Sequence, residues 1–116
     1  MSAGAEQMVR GMRGYLINKN PQFLKDFQTG GELANQSAKS AELKIENPEQ
    51  RIRLDTMLEL CKEYYDGSNQ IVVLLQQNKR AEALAIFNTG KQTKFVEEFV
   101  ALNKQFREVE VKAIKQ

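Results

Sequence analysis

The chain has 116 residues, which suits one domain with a packed core. Hydrophobic residues make up 41% and charged residues 28%, and the formal charge of +2 comes from lysine and glutamate interspersed, which describes a solvated helical surface and argues against a nucleic-acid partner. There is no histidine and only one cysteine, Cys61, so histidine phosphotransfer, Glu-x-x-His di-iron sites, H-E-x-x-H zinc sites, C-x-x-C motifs and an intrachain disulfide are all excluded.

The composition favours helix throughout, because glutamate, glutamine, lysine, alanine and leucine dominate and alternating strand patterns are rare. The first five residues, Met1-Ser2-Ala3-Gly4-Ala5, read as vector-derived. A first amphipathic segment follows, with Met8, Met12, Tyr15 and Leu16 on one face. It stops at Asn18-Lys19-Asn20-Pro21, where Asn20 is suited to cap a second helix and Pro21 to take its first position.

The second helix is expected from Pro21 to about Glu46, with Phe23, Phe27, Gly30, Ala34, Ser37 or Ala38, Ala41 and Ile45 inward. Gly30-Gly31 lowers its propensity and reads as a close helix approach or a local kink; the alternative is a signalling hinge. Asn47-Pro48-Glu49-Gln50 repeats the cap, with Gln50 at the third helical position, where its amide can reach back.

The third helix carries two matched sets at sevenfold spacing: Leu54, Cys61, Ser68 and Leu75, and Met57, Tyr64 and Ile71. Gly67-Ser68 is a soft point within it. A polar turn, Gln76 to Lys79, leads into a short helical piece with Ala81, Leu84, Ala85 and Phe87, interrupted at Asn88-Thr89-Gly90. The last helix carries Phe95, Phe99, Leu102, Phe106, Val109 and Ala113 at steps of three and four. The expected fold is all-α, an antiparallel up-down-up-down four-helix bundle with a short or truncated first helix, in one domain over 1–116. The core is expected to hold Leu54, Met57, Cys61, Tyr64, Ile71, Leu75, Phe95, Phe99 and Leu102.

No catalytic constellation emerges, so the domain is read as a non-enzyme with no cofactor and no metal. Cys61 lies on an apolar stripe with no histidine to activate it. Arg10 and Arg13 share a helical face, and two guanidinium forks suit a carboxylate; surface pairing with acidic residues is the plainer reading. Tyr64, Tyr65, Asn69 and Gln70 add aromatic and amide groups along the third helix, with Tyr64 read as core and its hydroxyl at the edge; Arg10, Arg13, Tyr65 and Asn69 are the candidate ligand residues. Phe106, Val109 and Ala113 continue the last stripe past the reach of the short first helix, which predicts a homodimer through them. The longest apolar run is Ile71 to Leu75, while a membrane span needs about 20 apolar residues.

Four stretches in order resemble the CHASE-type extracellular sensory domains, type three. Arg13-Gly14-Tyr15-Leu16-Ile17-Asn18 matches that family's R-G-Y-L-L-T-G-D turn, and Phe23-Leu24-Lys25-Asp26-Phe27 its F-L-x-x-Y/F stretch. Glu46-Asn47-Pro48-Glu49-Gln50-Arg51-Ile52-Arg53-Leu54 matches D-N-P-x-Q-x-x-R-L. Ala81 to Lys94 matches a later segment, best at Thr89-Gly90-Lys91. Asn18-Lys19-Asn20 departs from the family's T-G-D, and the second glycine after Thr89-Gly90 is missing.

The resemblance implies an extracytoplasmic sensor of a membrane-anchored, dimeric receptor such as a histidine kinase, a cyclase or a methyl-accepting chemotaxis protein. It also implies a first helix that continues upstream, and a small-molecule or protein stimulus that the motifs do not specify. The alternative function is a cytoplasmic helical adaptor that takes a partner helix in a groove.

Overall fold

The computed structural model describes residues 2–115; the side chains of Ser2, Ala113 and Lys115 lie outside that description. The chain forms α1 (Ser2–Asn18), α2 (Pro21–Glu42), α3 (Pro48–Gln76), α4 (Arg80–Phe87) and α5 (Lys91–Lys115). They make the all-α, up-down-up-down bundle expected, with α4 and α5 together forming the fourth arm. The molecule measures 54 × 25 × 18 Å. At about 1.5 Å per residue, α3 runs most of its long axis.

The helix boundaries follow local chemistry. Asn20 caps α2, its side-chain oxygen accepting from the Gln22 amide at 2.9 Å, with Pro21 at the first position. Asn47 caps α3 in the same way, accepting from Glu49 at 2.9 Å and Gln50 at 3.4 Å. α2 ends at Glu42, four residues short of the expected end at Glu46. Asn47 is held extended as the residue before a proline must be, and the connection needs several residues to reverse direction.

One end of the bundle carries the α1–α2 and α3–α4 turns, and it is tied together by side chains. Lys19 and Asn78 both adopt positive φ, and the Lys19 ammonium donates to the Asn78 side chain at 3.1 Å. The Arg80 guanidinium donates to the Leu16 carbonyl, closing the exposed end of α1. The other end carries the start of α1, the α2–α3 loop and the end of α5. Gly4 and Ala5 are buried in α1, packed into the bundle.

The core has two parts. The larger, toward the turns, gathers Met8, Met12, Tyr15, Leu16, Phe27, Tyr64, Ile71, Val72, Leu75 and Ala83. The smaller gathers Ala5, Met57, Leu60 and Phe99, with Cys61, Phe95, Leu102 and Phe106 half-buried around it. Of the expected core, Leu54, Met57, Tyr64, Ile71, Leu75 and Phe99 are buried, whereas Cys61, Phe95 and Leu102 are only half-buried. Cys61 and Phe95 border an open groove, which accounts for their partial exposure. In α4 it is Ala83 that is buried, while Ala81 and Ala85 are exposed.

Two buried amides link α3 to α5. Gln50 does not reach back to its own cap. Its amide donates to the Phe106 carbonyl at 3.0 Å and to Glu110 at 2.9 Å, while its oxygen accepts from Arg53 at 2.7 Å. Burial against α5 offers this side chain three partners, so it is more fully satisfied there than in a capping box. Gln92 donates to the Tyr64 carbonyl at 2.8 Å and to the Ser68 hydroxyl at 2.7 Å. Gly67 leaves the room this amide occupies. The expected soft point at Gly67-Ser68 is therefore a docking point for α5 in an unbroken helix.

Candidate functional site, a basic apolar groove

α1 packs closely on α2 along its whole length and stands away from α5. Between α1 and α5 runs an open groove of about 990 Å³, floored by Leu60, Cys61 and Tyr64 of α3. Ala5, Met8 and Val9 form the α1 wall, and Phe95, Val96, Phe99 and Val100 form the α5 wall. These side chains recur at three and four residues because one face of each helix points inward.

The rim is charged and predominantly positive. Arg10, Arg13, Lys104, Arg107 and Lys112 line the groove, against the two carboxylates Glu6 and Glu108. Arg10 and Arg13 fall together on the α1 rim, as their spacing predicts, and both are exposed. Arg13 is close enough for its charge to favour the Tyr64 phenolate, although burial dominates and pushes the Tyr64 hydroxyl above its ordinary value. Burial also pushes the Cys61 thiol up to about 11. At neutral pH that thiol stays protonated and acts as a polarisable apolar surface.

The other two candidate ligand residues lie elsewhere. Tyr65 faces α2, its ring stacked on Phe27 with centroids 4.7 Å apart and planes 9° from parallel. It borders a second, smaller hollow of about 550 Å³ between α2 and α3. Asn69 is exposed and borders neither hollow. The aromatic on the groove floor is the neighbouring Tyr64. The sequence held a signal for that choice, since Tyr64 belongs to the seam of Met57 and Ile71 and Tyr65 is offset from it.

The expected dimer residues also divide. Phe106 is half-buried against the smaller core, and its carbonyl is taken by Gln50. Val109 is half-buried, and the Ala113 side chain lies outside the described residues. The apolar surface that α5 leaves open lies at Val100 (60% exposed) and Val111, both of which line the groove, and at Ile114 (83%).

Among the described residues, no cluster of cysteine and carboxylate side chains is arranged to hold a metal ion, and no helix is long and apolar enough to cross a membrane. The family model of the CHASE3 domain matches residues 1–116, and the chain belongs to that family. CHASE3 domains are sensory, non-catalytic modules of signalling receptors, and the family is extracellular. No curated protein and no solved structure matches the chain.

Proposed function

We propose that this chain is the extracytoplasmic sensor domain of a transmembrane signal-transduction receptor, a histidine kinase or a methyl-accepting chemotaxis protein. Its stimulus acts by displacing the terminal helices in a dimer. The observation that carries this reading is the position of α1 and α5. They begin and end at the same end of the bundle, yet a groove separates them. A change of occupancy in that groove biases the spacing of the two helices that lead toward a membrane.

The dimer contact belongs on the terminal turns of α5, where Val111 and Ile114 leave apolar surface beside the half-buried Val109. Ala113 stands among them in the chain. A second reading, a cytoplasmic adaptor that seats a partner helix, draws on the same groove, since two parallel walls over an apolar floor suit a helix.

The genomic context separates the two readings. The receptor reading requires an apolar span of about 20 residues on each side of the domain. A full-length gene without them leaves the adaptor. Sedimentation equilibrium on the chain tests the dimer: Val111→Glu with Ile114→Glu should shift the population to monomer, and a chain that is monomeric at millimolar concentration removes the dimer from the proposal.

A further inference from the structure

The groove between α1 and α5 combines two chemistries that one ligand must satisfy together. Its floor and lower walls are apolar, from Leu60, Cys61 and Tyr64 to Val96 and Phe99. Its rim carries five cationic side chains and two carboxylates. A purely apolar ligand leaves the rim unused, and a small inorganic anion leaves the floor wet. Its volume of about 990 Å³ is at the upper end of the range for small-molecule sites.

We propose that this groove binds a single-chain amphipathic carboxylate, with its head between the Arg10 and Arg13 guanidinium groups and its tail along Leu60 and Phe99. The inference rests on the sensor reading and names the chemical class of its stimulus. Arg10 and Arg13 lie one turn apart on α1, and planar guanidinium forks match the two oxygens of a carboxylate. Tyr64 lies within the field of Arg13, so the head position borders the apolar floor. From Tyr64 the floor continues along α3 through Cys61 and Leu60, and Phe95, Val96, Phe99 and Val100 form the facing wall. Lys104, Arg107 and Lys112 extend the positive field along the α5 rim and favour entry of an anion over a cation.

Charge also argues against a second copy of the chain as the occupant. A parallel two-fold pairing through this face sets each rim cation near its own counterpart, and like charges brought together across an interface are costly. A free amphipathic anion neutralises the rim instead.

The test uses decanoate, with acetate as head alone and 1-decanol as tail alone, each titrated into the intact chain below its aggregation limit. Methyl resonances of Met8, Val9, Val96 and Val100 report the groove, and calorimetry reports affinity. Decanoate should saturate, shift those methyls, and bind at least about tenfold more tightly than either comparator, the size of one charge-assisted hydrogen bond. Arg10→Gln with Arg13→Gln should weaken decanoate by about tenfold or more and leave 1-decanol unchanged.

Because both arginines are exposed, this variant should keep its helical circular dichroism and melting temperature. Equal affinity for decanoate and 1-decanol, an unaffected double variant, or shifts confined to other regions would each overturn the proposal. So would groove resonances that move with protein concentration alone, since that places a second copy in the groove. Apolar spans flanking the domain in the gene would still support the receptor reading if decanoate fails, so the two failures are separable.

Discussion

The two flanks of α1 contrast. Toward α2, small residues let the backbones nearly touch. A Cβ at Gly4 would stand 2.7 Å from the Ala34 nitrogen, and one at Gly11 or Gly30 would overlap the backbone of Phe27 or Met8. Toward α5, α1 presents Glu6, Val9, Arg10 and Arg13, and the helices stand apart over a groove. The same helix is thus welded on one side and open on the other. Side-chain size decides which, because a glycine seam permits close backbone approach while long charged side chains hold a wall open toward water. The lesson is mechanical: α1 and α2 are expected to move as one body against α3 and α5.

The comparison is broken most strongly by removing a large side chain from each body. Phe27 is fully buried, stacked on Tyr65 and held in the welded hairpin. Phe99 is 8% exposed and borders the groove. Large-to-small aromatic changes in cores cost about 3–5 kcal/mol, more where the site cannot relax. Phe27→Ala should fall at the top of that range and Phe99→Ala at the bottom, because the groove wall can settle into the space left. Chemical denaturation of both variants measures the difference. Equal losses would mean that the groove flank is packed as rigidly as the hairpin.

A smaller effect tests the seam itself. In Gly30→Ala the new methyl meets the backbone of Met8 and Gly4, which cannot yield without moving α1. Overpacking of this kind costs about 1–3 kcal/mol, and the helix-propensity gain of Ala over Gly returns about 1 kcal/mol. Because the clash is with backbone, the upper part of that range applies, and the net expectation is a destabilisation of about 1–2 kcal/mol. Gly31→Ala is the control: its methyl comes nearest to the Tyr65 ring and the Met8 sulfur, side chains and not backbone, and it should cost less than Gly30→Ala. A Gly30→Ala variant as stable as the parent would show that the two helices are not in backbone contact.

The same contrast marks what the sequence discloses. Caps are local, so Asn20-Pro21 and Asn47-Pro48 were legible from residue type alone, as were the heptad seam of α3 and the inward stripe of α5. Gly30-Gly31 was legible as a close approach because a helix rarely carries two glycines without a packing reason. The groove was not legible, since it depends on how far α5 stands from α1. Neither helix states that distance; it is set by the α2 seam and by the Gln50 and Gln92 contacts between α3 and α5. Gln50 shows the limit: a capping-box position reads as local chemistry, while its partners Phe106 and Glu110 lie more than fifty residues away. That Arg10 and Arg13 share a rim is legible because their pairing is helical and local, and that Tyr64 meets the groove while Tyr65 faces the other hollow follows from the seam of Met57 and Ile71.

The smallest expected effect lies at the joint between the two bodies. Glu42 ends α2 beside Asp55 of α3, and the hydrogen bond that a protonated Glu42 can give Asp55 raises the Glu42 pKa, with partial desolvation and the Asp55 charge adding to it, against Arg51 and Lys39. A raised carboxyl pKa means that the folded chain holds a proton the unfolded chain has already released. The contribution to stability is therefore greatest at acid pH and is lost as pH rises from the ordinary 4.5 through the raised value. Above that window the two carboxylates repel, and the α1–α2 hairpin is held less firmly to α3. Solvent screens the pair, so the slope should be shallow and should flatten further in high salt. Thermal unfolding followed across this window should show melting temperature falling slightly with pH relative to Asp55→Asn, in which the like charge is absent. If the variant keeps the parent's slope, the pH dependence arises elsewhere and this joint contributes nothing to how the hairpin is seated.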